Sequence, residues 1–139
     1  MSKTKELKGL DANIILRFLT NDIPAQAERC EKLFEEVQEG AIAVFLADIT
    51  LADVICILEK YYKLPRTDIR LAMRRIIELR GLQCSNKSQA LAALDYYVEK
   101  NIDWTDAFMA TQLVAKGIWE LYSFDKHFDR LEGLTRIEP

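Results

Sequence analysis

The spacing of hydrophobic and polar positions changes along the chain, and each change marks a predicted element. Residues 24–40, PAQAERCEKLFEEVQEG, place apolar side chains at every third or fourth position, begin on a proline and end on a glycine, which predicts a helix. Short apolar runs without that period are typical of strands. They predict strands at KELKGLD (5–11), AIAVFLA (41–47), LQC (82–84), IWELYSF (118–124) and LTRIE (134–138).

Helical patterns fill the intervals between these strands. One begins directly behind the first strand, at ANIILRFL (12–19), and another has Thr50 as its predicted N-cap and Pro65 as its end. A later predicted helix has Leu91, Leu94 and Val98 on one side. The predicted helices cover 12–19, 24–40, 51–63, 66–81, 88–101, 103–117 and 126–131.

Strands that alternate with helices favour an α/β fold of the three-layer α/β/α sandwich type with a mostly parallel sheet. The 139 residues fall within the usual size of one domain, so we expect a single domain over 1–139. The run IWELYSF is nearly all apolar or aromatic, which is typical of a strand covered on both faces.

Composition indicates a water-soluble globular protein, with 50% hydrophobic and 29% charged residues. The N-terminus, MSKTKELKG, shows no signal-peptide pattern, so a cytoplasmic location is expected. Residues 40–58 are apolar enough to suggest a membrane span, but Asp48 and Asp53 would be costly there. Three dispersed cysteines and one histidine favour neither disulfides nor a zinc site.

Four aspartates occupy the positions at which an open parallel sheet binds its ligands, outside the carboxyl ends of the strands. Asp11 and Asp125 each end a predicted strand, whereas Asp53 and Asp106 lie in the predicted first turns of helices. Four carboxylates facing one crevice would repel each other unless a hard cation neutralised them. The pattern therefore predicts a Mg²⁺ or Mn²⁺ site.

Helix-start chemistry is the alternative explanation for these acids. Asp53 lies three residues after Thr50, and Asp106 three after Asp103, which is the spacing of a capping pair. Asp125 is equally placed to cap the short helix at 126–131. Asp11 interrupts an apolar run, so burial would require a compensating partner, and capping explains it only if a helix begins immediately behind it.

The order and spacing of four segments resemble those of the PIN-domain family, in particular its VapC-like ribonuclease toxins, over nearly the whole chain. The segments are LDANIILRFLTND, ITLADVICILEKYYKLPRTDI, DWTDAFMATQLVAKG and LYSFDKHFDRLEGL. The resemblance implies that Asp11, Asp106 and Asp125 bind metal, with Asn13, Asp103 and Ser123 as polar supports. Family members usually carry Glu where this chain has Asp53, which shortens the reach of that carboxylate.

The resemblance further implies a metal-dependent endoribonuclease, a homodimer, and an antitoxin protein that neutralises it. Arg66, Arg70 and Arg74 share one side of their helix and are expected either to guide RNA phosphates or to form a solvated face. A non-catalytic PIN module that binds RNA or protein is the alternative function. A phosphotransfer receiver is disfavoured because Asp11 has no acidic neighbour.

Overall fold

The structure, a computed structural model, describes residues 6–139. These residues form two compact units, of which the first extends to Lys87 and the second runs from Ser88 to Pro139. Residues 1–5 lie outside the described residues. They include Lys5, at which the first predicted strand begins, and the first part of the N-terminal segment MSKTKELKG, for which the signal-peptide prediction was made. The single-domain organisation stays a prediction.

The sheet of the first unit is parallel throughout. Strands β1 (Leu7–Gly9), β2 (Ala43–Phe45) and β3 (Leu82–Gln83) lie in the order β1-β2-β3. Gly9 is opposite Phe45, and Phe45 is opposite Gln83, so the carboxyl ends of all three strands meet at one edge. The predicted α/β class with a parallel sheet and flanking helices is confirmed.

Four helices connect these strands and supply the core of the first unit. Helix α2 has Pro24 at its first position, and Gly40 follows its end with a φ of +80°, as the sequence predicts. Helix α4 buries Ile69, Met73 and Ile76, which have helical spacing. The bounds are α1 Ala12–Thr20, α2 Pro24–Gln38, α3 Asp48–Lys60 and α4 Arg66–Ile77.

The predicted limits of α3 are wrong at both ends. The helix begins at Asp48 with Ala47 as N-cap, so Thr50 lies inside the first turn and caps nothing. The Asp48 carboxylate accepts a hydrogen bond from the Ser85 hydroxyl at 2.6 Å, and an acid suits a helix start. The helix ends at Lys60 because Lys63 has a φ of +58°, and Pro65 is the N-cap of α4.

Gly81 is expected to be the least replaceable glycine of the first unit. A Cβ there would lie 2.2 Å from the Ile42 carbonyl oxygen and 2.7 Å from the Val37 oxygen, both of which belong to the backbone. Overpacking against atoms that cannot rotate away costs roughly 1–3 kcal/mol or more. Gly81→Ala should therefore lower the free energy of unfolding by about 1–3 kcal/mol, which is measured as a lower urea midpoint.

Gly9→Ala is the matched control, since no atom lies within 4 Å of a Cβ built at Gly9. Its urea midpoint should stay close to that of the parent protein. Equal midpoints for the two variants would contradict the close approach at Gly81.

Helix α5 (Lys87–Glu99) begins at the last residue of the first unit and otherwise belongs to the second unit. The second unit also contains α6 (Trp104–Ala115), β4 (Glu120–Tyr122), a 3₁₀ turn (Lys126–Arg130) and β5 (Thr135–Ile137). Strands β4 and β5 pair in parallel. Trp104 is buried and packs edge-on against Tyr97.

One burial prediction for the second unit is wrong. Strand β4 exists, but it is not covered on both faces, because Tyr122 is 73% exposed and Trp119, directly before the strand, is 55% exposed. In helix α5, Leu94 is buried and Leu91 and Val98 are half-buried, and the buried positions are Ala90, Ala93, Leu94 and Tyr97. These positions also have helical spacing, and the small alanines allow close packing.

Within residues 6–139, no helix has both the length and the apolar character needed to cross a membrane. Cys30 is buried, Cys84 is half-buried and Cys56 is exposed, and all three are free thiols. Burial raises the pKa of the Cys84 thiol, which makes it a weaker nucleophile at neutral pH.

Candidate active site

Asp11 lies where β1 ends and α1 begins. The backbone at Asp11 is extended, with φ −82° and ψ 151°, and the helix starts at Ala12 directly behind it. Contrary to the buried setting that the sequence suggested, Asp11 is exposed, while Leu10 before it is buried. Its carboxylate makes no capping hydrogen bond, so the N-cap position is occupied without the N-cap interaction.

Asp53 and Asn13 are the other candidate side chains of the first unit. Asp53 is the sixth residue of α3 and is exposed, so the prediction that it lies in the first helical turn is wrong. Because Ala47 is the N-cap, the capping pair of Thr50 and Asp53 does not form, and helix-start chemistry does not explain Asp53. Asn13 lies exposed in the first turn of α1.

In the second unit the structure brings together Asp103, Asp106 and Asp125. Asp103 is the N-cap of α6, and Asp106 is the third residue of that helix. Burial, followed by the nearby charges of Asp125 and Asp103, raises the pKa of the Asp106 carboxyl, and His127 partly offsets this. A carboxyl whose charged form is disfavoured by its neighbours is typical of a functional site.

The segment that carries Asp125 is fixed by local hydrogen bonds. The Asp125 backbone N–H donates to Ser123 Oγ at 2.9 Å, and Asp125 Oδ1 accepts from the backbone N–H of His127 at 2.9 Å. The Nδ1 atom of His127 lies 3.0 Å from the same oxygen. Asp125 thus caps the 3₁₀ turn as the alternative interpretation expected, but it does so through one oxygen only.

Arg136 holds the other side of this segment. Its guanidinium donates to the main-chain oxygen of Ser123 at 3.1 Å and pairs with Asp129 at 3.0 Å and Glu138 at 2.8 Å. Both carboxylates raise the pKa of Arg136, so its guanidinium stays charged and keeps these contacts across the usual pH range of experiments.

The donor chemistry of the acidic cluster fits a hard divalent cation, because Mg²⁺ and Mn²⁺ prefer carboxylate oxygens. A cation would also relieve the repulsion that raises the Asp106 pKa. Among residues 6–139, no three or more His, Cys, Asp or Glu side chains are already arranged around a common metal position. The donors are suitable, but a closed coordination sphere is not preformed.

The arginines predicted to guide RNA are largely committed to acidic partners. Arg66 Nε donates to Glu59 Oε1 at 2.8 Å, and Arg74 Nη2 lies 3.5 Å from Glu78 Oε1. Arg70 is half-buried. Their role toward RNA stays a prediction, on a helix face that is less positive than the sequence alone indicates.

Sequence reasoning missed Arg17 and Arg29, which line one cavity with Asn13 between α1 and α2. The two arginines belong to different helices, and the second lies in a segment whose composition is mainly acidic. No spacing pattern links such residues before the helices pack.

Two comparisons with known proteins identify sequences that are similar to this chain. The sequence pattern of the PIN domain matches residues 9–134, a range that includes all four candidate aspartates. A protein described as VapC ribonuclease, from Aquifex aeolicus (strain VF5), is 25% identical over 133 residues, which are 96% of this chain and 97% of that protein.

Proposed function

Since the chain belongs to the PIN-domain family, we propose that it is a metal-dependent endoribonuclease, the toxin of a toxin-antitoxin pair. The observation that carries the proposal is the environment of Asp106, a partly buried acid with two further carboxylates close enough to raise its pKa. The full-length similarity to a VapC ribonuclease supports the choice of RNA as substrate.

In this proposal Asp11, Asp106 and Asp125 are the metal-binding carboxylates, and Asp53 is the fourth. A bound Mg²⁺ or Mn²⁺ would supply an activated water and charge stabilisation for the phosphate. The protein supplies position: Ser123 and His127 fix Asp125, and the backbone at Asp103 starts the helix that carries Asp106. Asn13, next to Asp11, supplies an amide for a phosphate oxygen.

The proposal includes three features that follow from the toxin assignment. A protein antitoxin would cover the acidic residues, the active form would be a homodimer, and the protein would act in the cytoplasm. Size-exclusion chromatography with light scattering of the purified chain measures the oligomeric state directly.

The test of the proposed function is a metal titration. Purified protein is incubated with a mixed single-stranded RNA substrate in EDTA, Mg²⁺ or Mn²⁺, and products are resolved on a gel. Cleavage is expected with either metal and not in EDTA. Cleavage that is unchanged in EDTA would overturn the metal requirement, and no cleavage at any metal concentration would overturn the nuclease assignment.

Asp53→Glu is expected to increase the cleavage rate about 3- to 30-fold. Its added methylene restores the reach that the family pattern has at this position, and small misplacements of catalytic groups are costly in rate. Asp53 is exposed in α3, so the longer side chain fits without displacing core residues. Single-turnover cleavage rates at saturating Mg²⁺ measure the effect.

Asp53→Asn is the companion variant and should be slower than the parent protein. If Asp53→Glu and Asp53→Asn have the parent rate, the side chain at position 53 takes no part in the reaction.

A non-catalytic module that binds RNA is the second candidate function, favoured by the aspartate at position 53. It predicts RNA binding without turnover in the parent protein. Metal-dependent turnover in the parent protein would exclude it.

A further inference from the structure

A groove between α1 and α2 has the composition of a site for part of a nucleotide chain. Its volume is about 410 Å³. Two guanidinium groups and two amides line it, together with apolar side chains such as Ile14 and Leu33. The polar residues are Asn13 and Arg17 from α1, and Gln26 and Arg29 from α2.

The two arginines of this groove differ in how they are held. Arg17 donates through Nε to Gln26 at 3.1 Å and through Nη1 to Asp22 at 3.3 Å. Arg29 is exposed and makes no ion pair with any residue in the described range 6–139. Arg17 is therefore oriented in advance, whereas no ion pair within residues 6–139 neutralises the charge of Arg29.

Asp22 limits how much charge Arg17 contributes. Hydrogen bonds from the Tyr62 hydroxyl at 2.7 Å and the Thr20 hydroxyl at 2.9 Å lower the pKa of the Asp22 carboxyl, which keeps it ionised beside Arg17. The net positive charge of the groove consequently comes from Arg29.

The groove is lined by a residue that is close in sequence to a candidate catalytic carboxylate. Asn13 lines it and lies two residues after Asp11, and Arg17 lies one helical turn further, about 6 Å along the helix axis. A polymer chain held at Asp11 would reach Arg17 within one or two units.

A larger cavity in the same unit shows the opposite charge. It has a volume of about 590 Å³ and is bordered by Glu31, Glu35 and Glu39, and Arg75 is the single cation among its described lining residues. Three carboxylates repel a phosphodiester, so RNA is expected to take the smaller groove.

From these observations we infer that the α1–α2 groove binds a phosphate of the RNA substrate, one or two nucleotides from the scissile bond. Arg29 supplies the main charge, and Arg17, oriented by Gln26, donates a directed hydrogen bond. The inference rests on the proposed ribonuclease function and adds a substrate-binding site to it.

The test measures RNA binding separately from turnover. A fluorescently labelled single-stranded RNA is titrated with the full-length chain in EDTA, and affinity is followed by anisotropy at several salt concentrations. Arg29→Gln should weaken binding about tenfold, as expected for one lost charge-assisted hydrogen bond. The slope of log affinity against log salt should become shallower by about 0.7. Arg29→Lys should recover part of the loss.

Arg75→Gln is the matched control, because Arg75 is an exposed arginine that lines the acidic cavity. Its affinity should stay within about twofold of the parent value, and its salt slope should equal that of the parent protein. Circular dichroism and the urea midpoint establish that all variants are folded.

RNAs with one methylphosphonate at successive positions locate the contact. The loss caused by Arg29→Gln should vanish when the neutral linkage occupies the position that Arg29 binds. Equal affinities for Arg29→Gln and Arg75→Gln would overturn the inference, as would a loss independent of methylphosphonate position. In that case an antitoxin segment would be the next occupant to examine.

The two proposals fail in different ways. An effect of Arg29→Gln on binding, in a protein that cleaves no RNA with any metal, would retain the groove and reject the nuclease. Metal-dependent cleavage without an effect of Arg29→Gln would retain the nuclease and reject the groove.

Discussion

Asp11→Asn is expected to lower metal-dependent RNA cleavage by at least about 100-fold while leaving the fold intact. Asparagine keeps the size of the side chain and removes its charge, which a metal-binding carboxylate needs. Asp11 is exposed and makes no capping hydrogen bond, so helix α1 loses no capping hydrogen bond in this variant. Removing a single charge-stabilising group from an active site commonly costs 10²–10³ in rate. Single-turnover cleavage in Mg²⁺ and the urea midpoint measure the two effects.

Asp68→Asn is the matched control for this variant. Asp68 is also exposed and also lies at a helix start, in the first turn of α4. Its cleavage rate should remain within about twofold of the parent rate, since surface charges of this kind contribute little. Similar rates for the two variants would remove Asp11 from the site, and a large fall in the Asp11→Asn urea midpoint would assign it a structural role instead.

The alternation of strands and helices could be predicted because local signals agree with one another. Pro24 and Gly40 bracket a helical period in α2, and the short runs at β1, β2 and β3 lie between helical segments. Each signal depends on a few neighbouring residues, so it predicts the same element whatever the rest of the fold is.

Helix limits and burial were predicted less well because they depend on contacts with distant residues. Thr50 is a good N-cap residue by type, but α3 starts earlier, where Asp48 meets Ser85. The apolar run correctly predicted strand β4, but it wrongly predicted that the strand is buried on both faces, because Tyr122 is exposed. Such contacts carry no local signature.

In the candidate site, too, local signals could be read from the sequence and contacts between distant residues could not. The positions of Asp106 near a predicted helix start and of Asp125 after a predicted strand were sufficient to nominate both residues, whereas Asp103 was named only as a capping residue and as a support implied by the family resemblance. The pairing of Arg66 with Glu59 is a contact between two helices, and the sequence therefore overstated the charge of α4. The arginines of the α1–α2 groove were missed for the same reason.

Asp106→Asn is expected to have opposite effects on activity and stability. Cleavage in Mg²⁺ should fall by about 100-fold or more, as for Asp11→Asn. In metal-free buffer at pH 7, the thermal midpoint should rise slightly, by about 1–2 °C. Two electrostatic effects compete at this position, because an acid in a first helical turn is favoured by the helix dipole and disfavoured by nearby carboxylates. Burial, together with the charges of Asp125 and Asp103, raises the pKa of Asp106, so we expect the disfavouring effects to be the larger ones.

The sign of the pH dependence follows from that shift. The pKa of Asp106 in the folded state is above its ordinary value of 3.8, so the folded protein binds more protons than the unfolded chain between these two values. The contribution of Asp106 to stability is fully present below 3.8 and is lost as the pH rises through the folded-state pKa. Asn does not titrate, so the stability advantage of Asp106→Asn should be absent at the acid end and grow toward neutral pH.

Thermal midpoints measured from pH 3.5 to 7.5 in EDTA test this sign, with Asp68→Asn as the control substitution at another helix start. Mg²⁺ should then raise the midpoint of the parent protein and not that of Asp106→Asn, because a ligand stabilises only a fold that binds it. A variant less stable than its parent at neutral pH would mean that the Asp106 charge supports the start of α6. That result, combined with unchanged cleavage, would remove Asp106 from the metal site and leave it as part of the helix.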